Sequence, residues 1–134
     1  MCGSLCRFKI TKGDHIADAC EALSGYLSGK RHFTAVVCFN DLVAVGVYKA
    51  LYMAGLKVPQ DVSVIGFDDN HCEFTCPPLT TVDHMLFEMG QRGVSLLLEM
   101  TRDEKAISSL CGCRQLITPR LVIRESTAPP RDFR

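Results

Sequence analysis

Two short apolar runs, each stopping abruptly on a pair of polar residues, limit the folds open to this chain. Val62-Ser63-Val64-Ile65-Gly66-Phe67 ends on Asp68-Asp69, and Thr34-Ala35-Val36-Val37-Cys38-Phe39 ends on Asn40-Asp41. Both are short and rich in β-branched residues, so each reads as a strand buried on both faces, the kind that parallel sheets covered by helices contain. Between them Leu42 to Ala54 has helical character, Gly55 stands where a C-cap glycine belongs, and Pro59 blocks continuation. Strand, helix and strand make a βαβ unit whose two strands are parallel neighbours. In open α/β sheets ligands bind outside the carboxyl ends of the strands, so Asn40, Asp41, Asp68 and Asp69 are expected to gather on one edge.

The flanking segments extend the same design. Leu5 to Ile10 alternates in polarity as a strand does, and Gly13-Asp14 offers a turn and an N-cap for a helix from His15 to Ser28. Ile16, Cys20, Leu23 and Leu27 would share one face of that helix, with Gly29-Lys30-Arg31 closing it, which gives a second βαβ unit ahead of the first. Beyond Asp69, Asn70 to Pro78 has no period and reads as a loop, and Leu79 to Val82 is a brief strand. Asp83 caps a helix from about His84 to Met100, where Gly90 and Gly93 interrupt an apolar stripe of Leu86, Met89, Val94 and Leu97. Leu116 to Arg124 reads as a strand, with Pro119 inside it arguing for an edge or a bulge, and Ser126 to Arg134 as a frayed tail.

Composition excludes several function classes. With 47% apolar and 22% charged residues in 134, the chain is an ordinary globular one of single-domain size. Its formal net charge is zero and Lys and Arg do not cluster, so direct binding to nucleic acid or an anionic membrane is not expected. The start, Met1 to Arg7, has no apolar signal core, and no run approaches the length of a membrane span, so a cytoplasmic protein is expected. Most of the eight cysteines read as reduced and structural, because several, such as Cys20 and Cys38, fall within apolar patterns. Cys111-Gly112-Cys113, with Cys2 and Cys6 far away, suggests a zinc site only weakly, Cys72 and Cys76 flank an irregular loop, and His15, His32, His71 and His84 are scattered, with surface or capping roles expected. No Gly-x-Ser-x-Gly, P-loop or Gly-x-Gly-x-x-Gly motif is present, so neither an enzyme nor a cofactor is expected.

The strand-end pairs allow more than one chemistry. Asp68-Asp69 can accept hydrogen bonds from the hydroxyls of a small molecule, hold Mg²⁺ for phosphoryl transfer or in a receiver-like domain, or merely cap a turn. In Asn40-Asp41 one residue should cap the next helix. The expected division gives capping to Asp41 and leaves Asn40 to face the cleft as donor and acceptor for a ligand.

These stretches resemble the effector-binding region of LacI/GalR-family bacterial transcription regulators. The resemblance is carried by Val37-Cys38-Phe39-Asn40-Asp41-Leu42-Val43-Ala44-Val45-Gly46, by Ala54-Gly55-Leu56-Lys57-Val58-Pro59-Gln60-Asp61 continuing through Val62-Ser63-Val64-Ile65-Gly66-Phe67-Asp68-Asp69, by Pro77-Pro78-Leu79-Thr80-Thr81-Val82, by Glu88-Met89-Gly90, and by Leu121-Val122-Ile123-Arg124-Glu125-Ser126-Thr127-Ala128. It implies a periplasmic-binding-protein-like fold of two α/β lobes, in which parallel sheets carry helices on both faces. It also implies a sugar or nucleoside effector held between the lobes, homodimerisation, and operator binding through an N-terminal helix-turn-helix that this sequence does not contain. By position, Asp68 matches the family's effector-binding aspartate and Asn40 a cleft residue, with Asp41 and Asp69 as capping or secondary cleft residues.

The resemblance further implies an incomplete fold, mostly the C-terminal lobe. Residues 1–79 would belong to that lobe, 80–114 would be a crossover strand and helix of the other lobe, and 115–134 a returning strand and tail. Asp83-His84 replaces the family's usual Gln-Pro, and Cys111 to Cys113 has no family counterpart. The expected function is therefore effector sensing and dimerisation within a transcription repressor. A sugar-binding transport receptor of the same two-lobe design, and a Mg²⁺-dependent phosphoryl-transfer or receiver-like domain using Asp68 and Asp69, are the competing readings.

Overall fold

The computed structural model describes residues 15–29, 33–102, 112 and 114–130. The expected strand Leu5 to Ile10, the Gly13-Asp14 turn, Cys2, Cys6, Lys30, Arg31, His32, Cys111 and Cys113 lie outside the described residues. Helix α1 (Ile16–Ser28) is followed by strand β1 (Ala35–Val37), helix α2 (Asp41–Met53), strand β2 (Ser63–Ile65) and a 3₁₀ turn (Cys72–Phe74). Then come strand β3 (Thr81–Asp83), helix α3 (Leu86–Arg102) and strand β4 (Arg120–Val122).

The central βαβ unit forms as its sequence dictates. β1 and β2 are parallel, with Val36 opposite Val64 and Val37 opposite Ile65, and the Cys38 N–H extends the ladder to the Ile65 carbonyl at 2.8 Å. On the other side of β2, Ile65 bridges in parallel to Thr80, and the Gly66 and Asp68 N–H groups donate to the Thr80 and Val82 carbonyls at 2.9 Å. α2 ends at Met53, and just past its cap Gly55, with φ of +71°, lets the chain reverse while the Gly55 and Leu56 N–H groups close onto the Tyr52 and Leu51 carbonyls at 3.0 and 2.9 Å. These two closures are a Schellman motif.

Helices α1 and α2 pack on each other, and Ala19, Leu23, Val43, Val47, Ala50 and Leu51 join Val62, Val64 and Leu79 in one core. The close approach depends on Gly46, because a Cβ there would lie 2.3 Å from the Ile16 carbonyl oxygen and 2.7 Å from the Ala19 Cβ. The face expected of α1 turns partly away from this core. Ala19, Cys20 and Leu23 are buried, whereas Ile16 is 38% exposed.

Neither strand is buried on both faces as its composition suggested. Val62 and Val64 point into the core while Ser63 and Ile65 are half-buried, and Val37 is 78% exposed. The period of two along a strand is responsible, since it sends Ala35 and Val37 to the side away from the α1–α2 core, which no described side chain covers enough to bury them. Pro119 lies just before β4 rather than inside it, so the missing N–H costs no ladder bond. The segment after β4 is not frayed over its described length. Ser126 is fully buried, its Oγ donates to the Val64 carbonyl at 2.6 Å and accepts from the Thr80 N–H at 2.8 Å, and its carbonyl accepts from the Val64 N–H at 2.9 Å. Ser63 Oγ and the Ala128 backbone exchange two further bonds at 3.1 Å.

The described residues divide into two compact units, one reaching Val82 and resuming at Leu121, the other running from Asp83 to Arg120. In the second unit Asp83 Oδ1 accepts from the Met85 N–H at 2.7 Å, one residue before α3 begins, and Oδ2 pairs with Arg120 at 3.1 Å. α3 carries the expected stripe, and none of its residues is buried.

Candidate functional site

The edge to which β1 and β2 lead carries all four expected residues, and the fold gives each a different task. Asn40 leaves β1 in extended conformation and caps α2, its Oδ1 accepting from the Val43 N–H at 2.8 Å. This reverses the expected division, in which Asp41 was the cap. The reason is register: the side chain one residue ahead of the first helical turn reaches the free N–H groups, whereas Asp41 is already inside that turn. Asn40 as a whole is half-buried.

Asp41 is instead a buried hub, only 5% exposed. Its Oδ1 accepts from Thr81 Oγ1 at 2.7 Å and its Oδ2 from the Asn70 N–H at 2.8 Å, so one carboxylate ties α2 to β3 and to the turn after β2. Gly66 makes room for it, since a Cβ at that position would sit 2.2 Å from Asp41 Oδ1. The Asp41 charge also reaches two buried thiols. Burial first, and Asp41 second, push the Cys38 thiol up to about 12, and burial, then hydrogen bonding and charge from Asp41, do the same to Cys72. Burial likewise raises the Tyr48 hydroxyl to about 12 while it donates to the Pro77 carbonyl at 3.1 Å.

Asp68 and Asp69 form a sharp turn in which both adopt positive φ, 113° and 57°. Such values are uncommon outside glycine and persist only where neighbouring contacts impose them. Asp69 turns back toward the protein and pairs with Arg124, whose Nη2 lies 2.7 Å from Asp69 Oδ1. Asp68 is half-buried at the rim. Of the four expected residues, then, Asp41 is buried and bonded within the fold, Asp69 is paired with Arg124, and Asn40 and Asp68 are half-buried at the edge.

Sequence reasoning missed Arg124, Thr81 and Ser126. Arg124 had a legible signal, a single cation closing the apolar run Leu121-Val122-Ile123. Among the described residues no group of three or more His, Cys, Asp or Glu side chains is arranged to hold a metal ion, and no helix is long and apolar enough to cross a membrane. Cys20, Cys38 and Cys72 are free and buried, and Cys76 is free and exposed.

Residues 7–127 match the periplasmic binding protein-like domain family. The HTH-type transcriptional repressor PurR of Haemophilus influenzae is 38% identical over 111 residues, which are 81% of this chain and 32% of that protein. The HTH-type transcriptional regulator MalR of Streptomyces coelicolor is 46% identical over 99 residues, 73% of this chain and 28% of that protein. The chain thus spans about a third of the length of the curated relatives it matches. Among solved structures, a LacI family transcriptional regulator from Arthrobacter in complex with lactose superposes with a TM-score of 0.74 at 34% identity, covering 86% of this chain and 43% of that one. A LacI family regulator from Enterococcus faecalis with bound ribose gives 0.75 at 32% identity, covering 89% and 43%.

Proposed function

We propose, for a chain that belongs to the periplasmic binding protein-like domain family as the effector-binding region of a LacI-family regulator, that it senses a small hydroxylated effector within a cytoplasmic transcription repressor and is not an enzyme. The observation that carries this is the placement of Asp68 and the Asn40 amide at the carboxyl ends of adjacent parallel strands, where open α/β sheets receive ligands. A carboxylate there accepts from ligand hydroxyls, and the Asn40 Nδ2 donates, since its Oδ1 already caps α2. Lactose and ribose, bound by similar regulators, are ligands of that hydroxylated class.

The rest of the reading concerns organisation. The first compact unit, Met1–Val82 with Leu121–Arg134, belongs to the C-terminal lobe of the effector-binding region, and the second, Asp83–Arg120, to a second lobe built mostly from sequence outside this chain. This moves the expected bounds of 79 and 115, because Thr80 and Thr81 bond to Gly66 and Asp41. Closure of the two lobes encloses the effector, the assembly is a homodimer, and a helix-turn-helix outside this chain meets the operator. The relatives' length supports this, because the chain matches only about a third of them. A Mg²⁺ site at Asp68 and Asp69 is disfavoured by Arg124, whose guanidinium occupies the carboxylate that a cation would need.

Calorimetric titration of the protein in its native sequence context, against a panel of pentoses, disaccharides and nucleosides, tests the proposal. Saturable binding to a member of the panel that weakens operator affinity, or strengthens it, is the expected result. Binding of millimolar Mg²⁺ with no response to the panel would overturn it in favour of the phosphoryl-transfer alternative.

A further inference from the structure

We propose that Arg124 and Asp69 form a clamp that fixes the turn after β2 and thereby aims Asp68 at the effector, which makes Arg124 a positioning residue of the site. The inference deepens the effector reading and rests on Asp68 being its ligand contact.

The turn needs such a clamp. Asp68 and Asp69 are consecutive non-glycine residues at φ 113° and 57°, a conformation whose steric cost must be met by contacts around it. Three contacts from three different parts of the fold meet it, one per residue. The Asp68 N–H donates to the Val82 carbonyl at 2.9 Å, Asp69 pairs with Arg124 at 2.7 Å, and the Asn70 N–H donates to Asp41 Oδ2 at 2.8 Å. The first and third hold the backbone on either side of Asp69. The middle one grips the Asp69 side chain and so restrains the rotation of the turn from which the Asp68 side chain departs.

Arg124 is itself fixed, which an exposed arginine would not be. Its side chain is 18% exposed, its Nη1 donates to the Leu79 carbonyl at 2.9 Å, and its backbone N–H donates to Thr80 Oγ1 at 2.9 Å. Two residues on, Ser126 is stitched into β2 by its bonds to Val64. The guanidinium is therefore held in place from its own backbone and from the loop before β3. Exposed ion pairs with mobile side chains contribute little, but a pair held this way on both sides loses less order when it forms.

The test combines amide exchange with ligand affinity in Arg124→Gln, Arg124→Lys, Asp69→Asn and the Arg124→Gln/Asp69→Asn double variant. Arg124→Gln should speed exchange at the Asp68 and Asn70 amides about tenfold while leaving the α2 amides Val47 to Leu51 unchanged, the signature of local opening. Affinity for whichever of ribose, lactose and the nucleosides binds wild type should fall by about tenfold in either single variant, and the double variant should lose no more, since both act through one pair. Arg124→Lys, which keeps the charge, should recover part of both effects. Unchanged exchange at the turn, or exchange rising equally in α2, would overturn the clamp and leave Arg124 a general stabilising residue. If Arg124→Gln fails to fold, the near-isosteric Asp69→Asn and the conservative Arg124→Lys decide the matter by the same two readouts. If no panel member binds wild type, the effector reading fails, and the exchange measurements still decide whether the clamp exists.

Discussion

Asp68 is half-buried at the rim, outside the apolar core, in backbone that an L-residue enters only under constraint. Asp68→Ala should therefore leave the melting temperature nearly unchanged while weakening effector binding by about 1.5–3 kcal/mol, the value of a charge-assisted bond. Wild-type affinity in that variant, measured by calorimetry, would take Asp68 out of the site. Asp41, one strand away, should behave in the opposite sense. Asp41→Ala strands Thr81 Oγ1 and the Asn70 N–H without their acceptor, at a cost to stability of about 2–4 kcal/mol, read from the denaturant midpoint. Measured together, the two variants would separate the binding role proposed for Asp68 from the structural one of Asp41.

The buried thiols near Asp41 supply a third residue-level expectation. Unfolded, Cys38 and Cys72 ionise near the ordinary value of 9.0, and in the fold burial moves both to about 12. Below pH 9 both states keep their protons and these groups contribute their full share. Between the two values the unfolded chain releases protons that the folded chain retains, so stability should fall steadily as the solution becomes more alkaline. At pH 8, iodoacetamide should label exposed Cys76 well ahead of Cys20, Cys38 and Cys72, as peptide mass mapping would show.

At the scale of elements, the α1–α2 contact depends on one missing methyl group. In an exposed helix, Gly→Ala gains about 1 kcal/mol of propensity, but at Gly46 the new Cβ would meet the Ile16 carbonyl oxygen at 2.3 Å. That neighbour is backbone and cannot rotate aside, so the helices must separate, and overpacking of this kind costs about 1–3 kcal/mol. The clash should outweigh the propensity, so Gly46→Ala is expected to lower the melting temperature. A rise in melting temperature would show that α1 yields freely. Gly46 was visible in the sequence as a helix-interior glycine, yet nothing in the sequence said which element it admits.

For the whole molecule, the exposed apolar surface governs behaviour in solution. α3 buries none of its residues, and Leu86, Phe87, Val94 and Leu97 are between 57% and 80% exposed. β1 adds Val37 at 78%. Apolar surface of this extent drives association, so the isolated chain should sediment as concentration-dependent oligomers, and Leu97→Lys should reduce that tendency. A compact monomer at high concentration with micromolar affinity for a sugar or nucleoside would sink the two-lobe organisation proposed above.

The sequence by itself determined the parts that depend on local pattern. β-Branched runs set β1 and β2, Gly55 and the helical stretch before it set the length of α2, and the strand–helix–strand order set the parallel pairing and hence the edge where Asn40, Asp41, Asp68 and Asp69 emerge. Tertiary structure alone decided how those four divide their work, because that depends on partners far away in the chain. Thr81 and Asn70 claim Asp41, Arg124 claims Asp69, and the geometry of the first turn of α2 claims the Asn40 oxygen. Ser126 and its neighbours show the same limit. Their composition reads as a polar tail, and only the unpaired backbone of β2 beside them makes a buried strand-edge stitch out of it. A hydrogen bond across forty or sixty residues leaves no periodicity to read, so long-range polar pairing became visible only once the chain had folded.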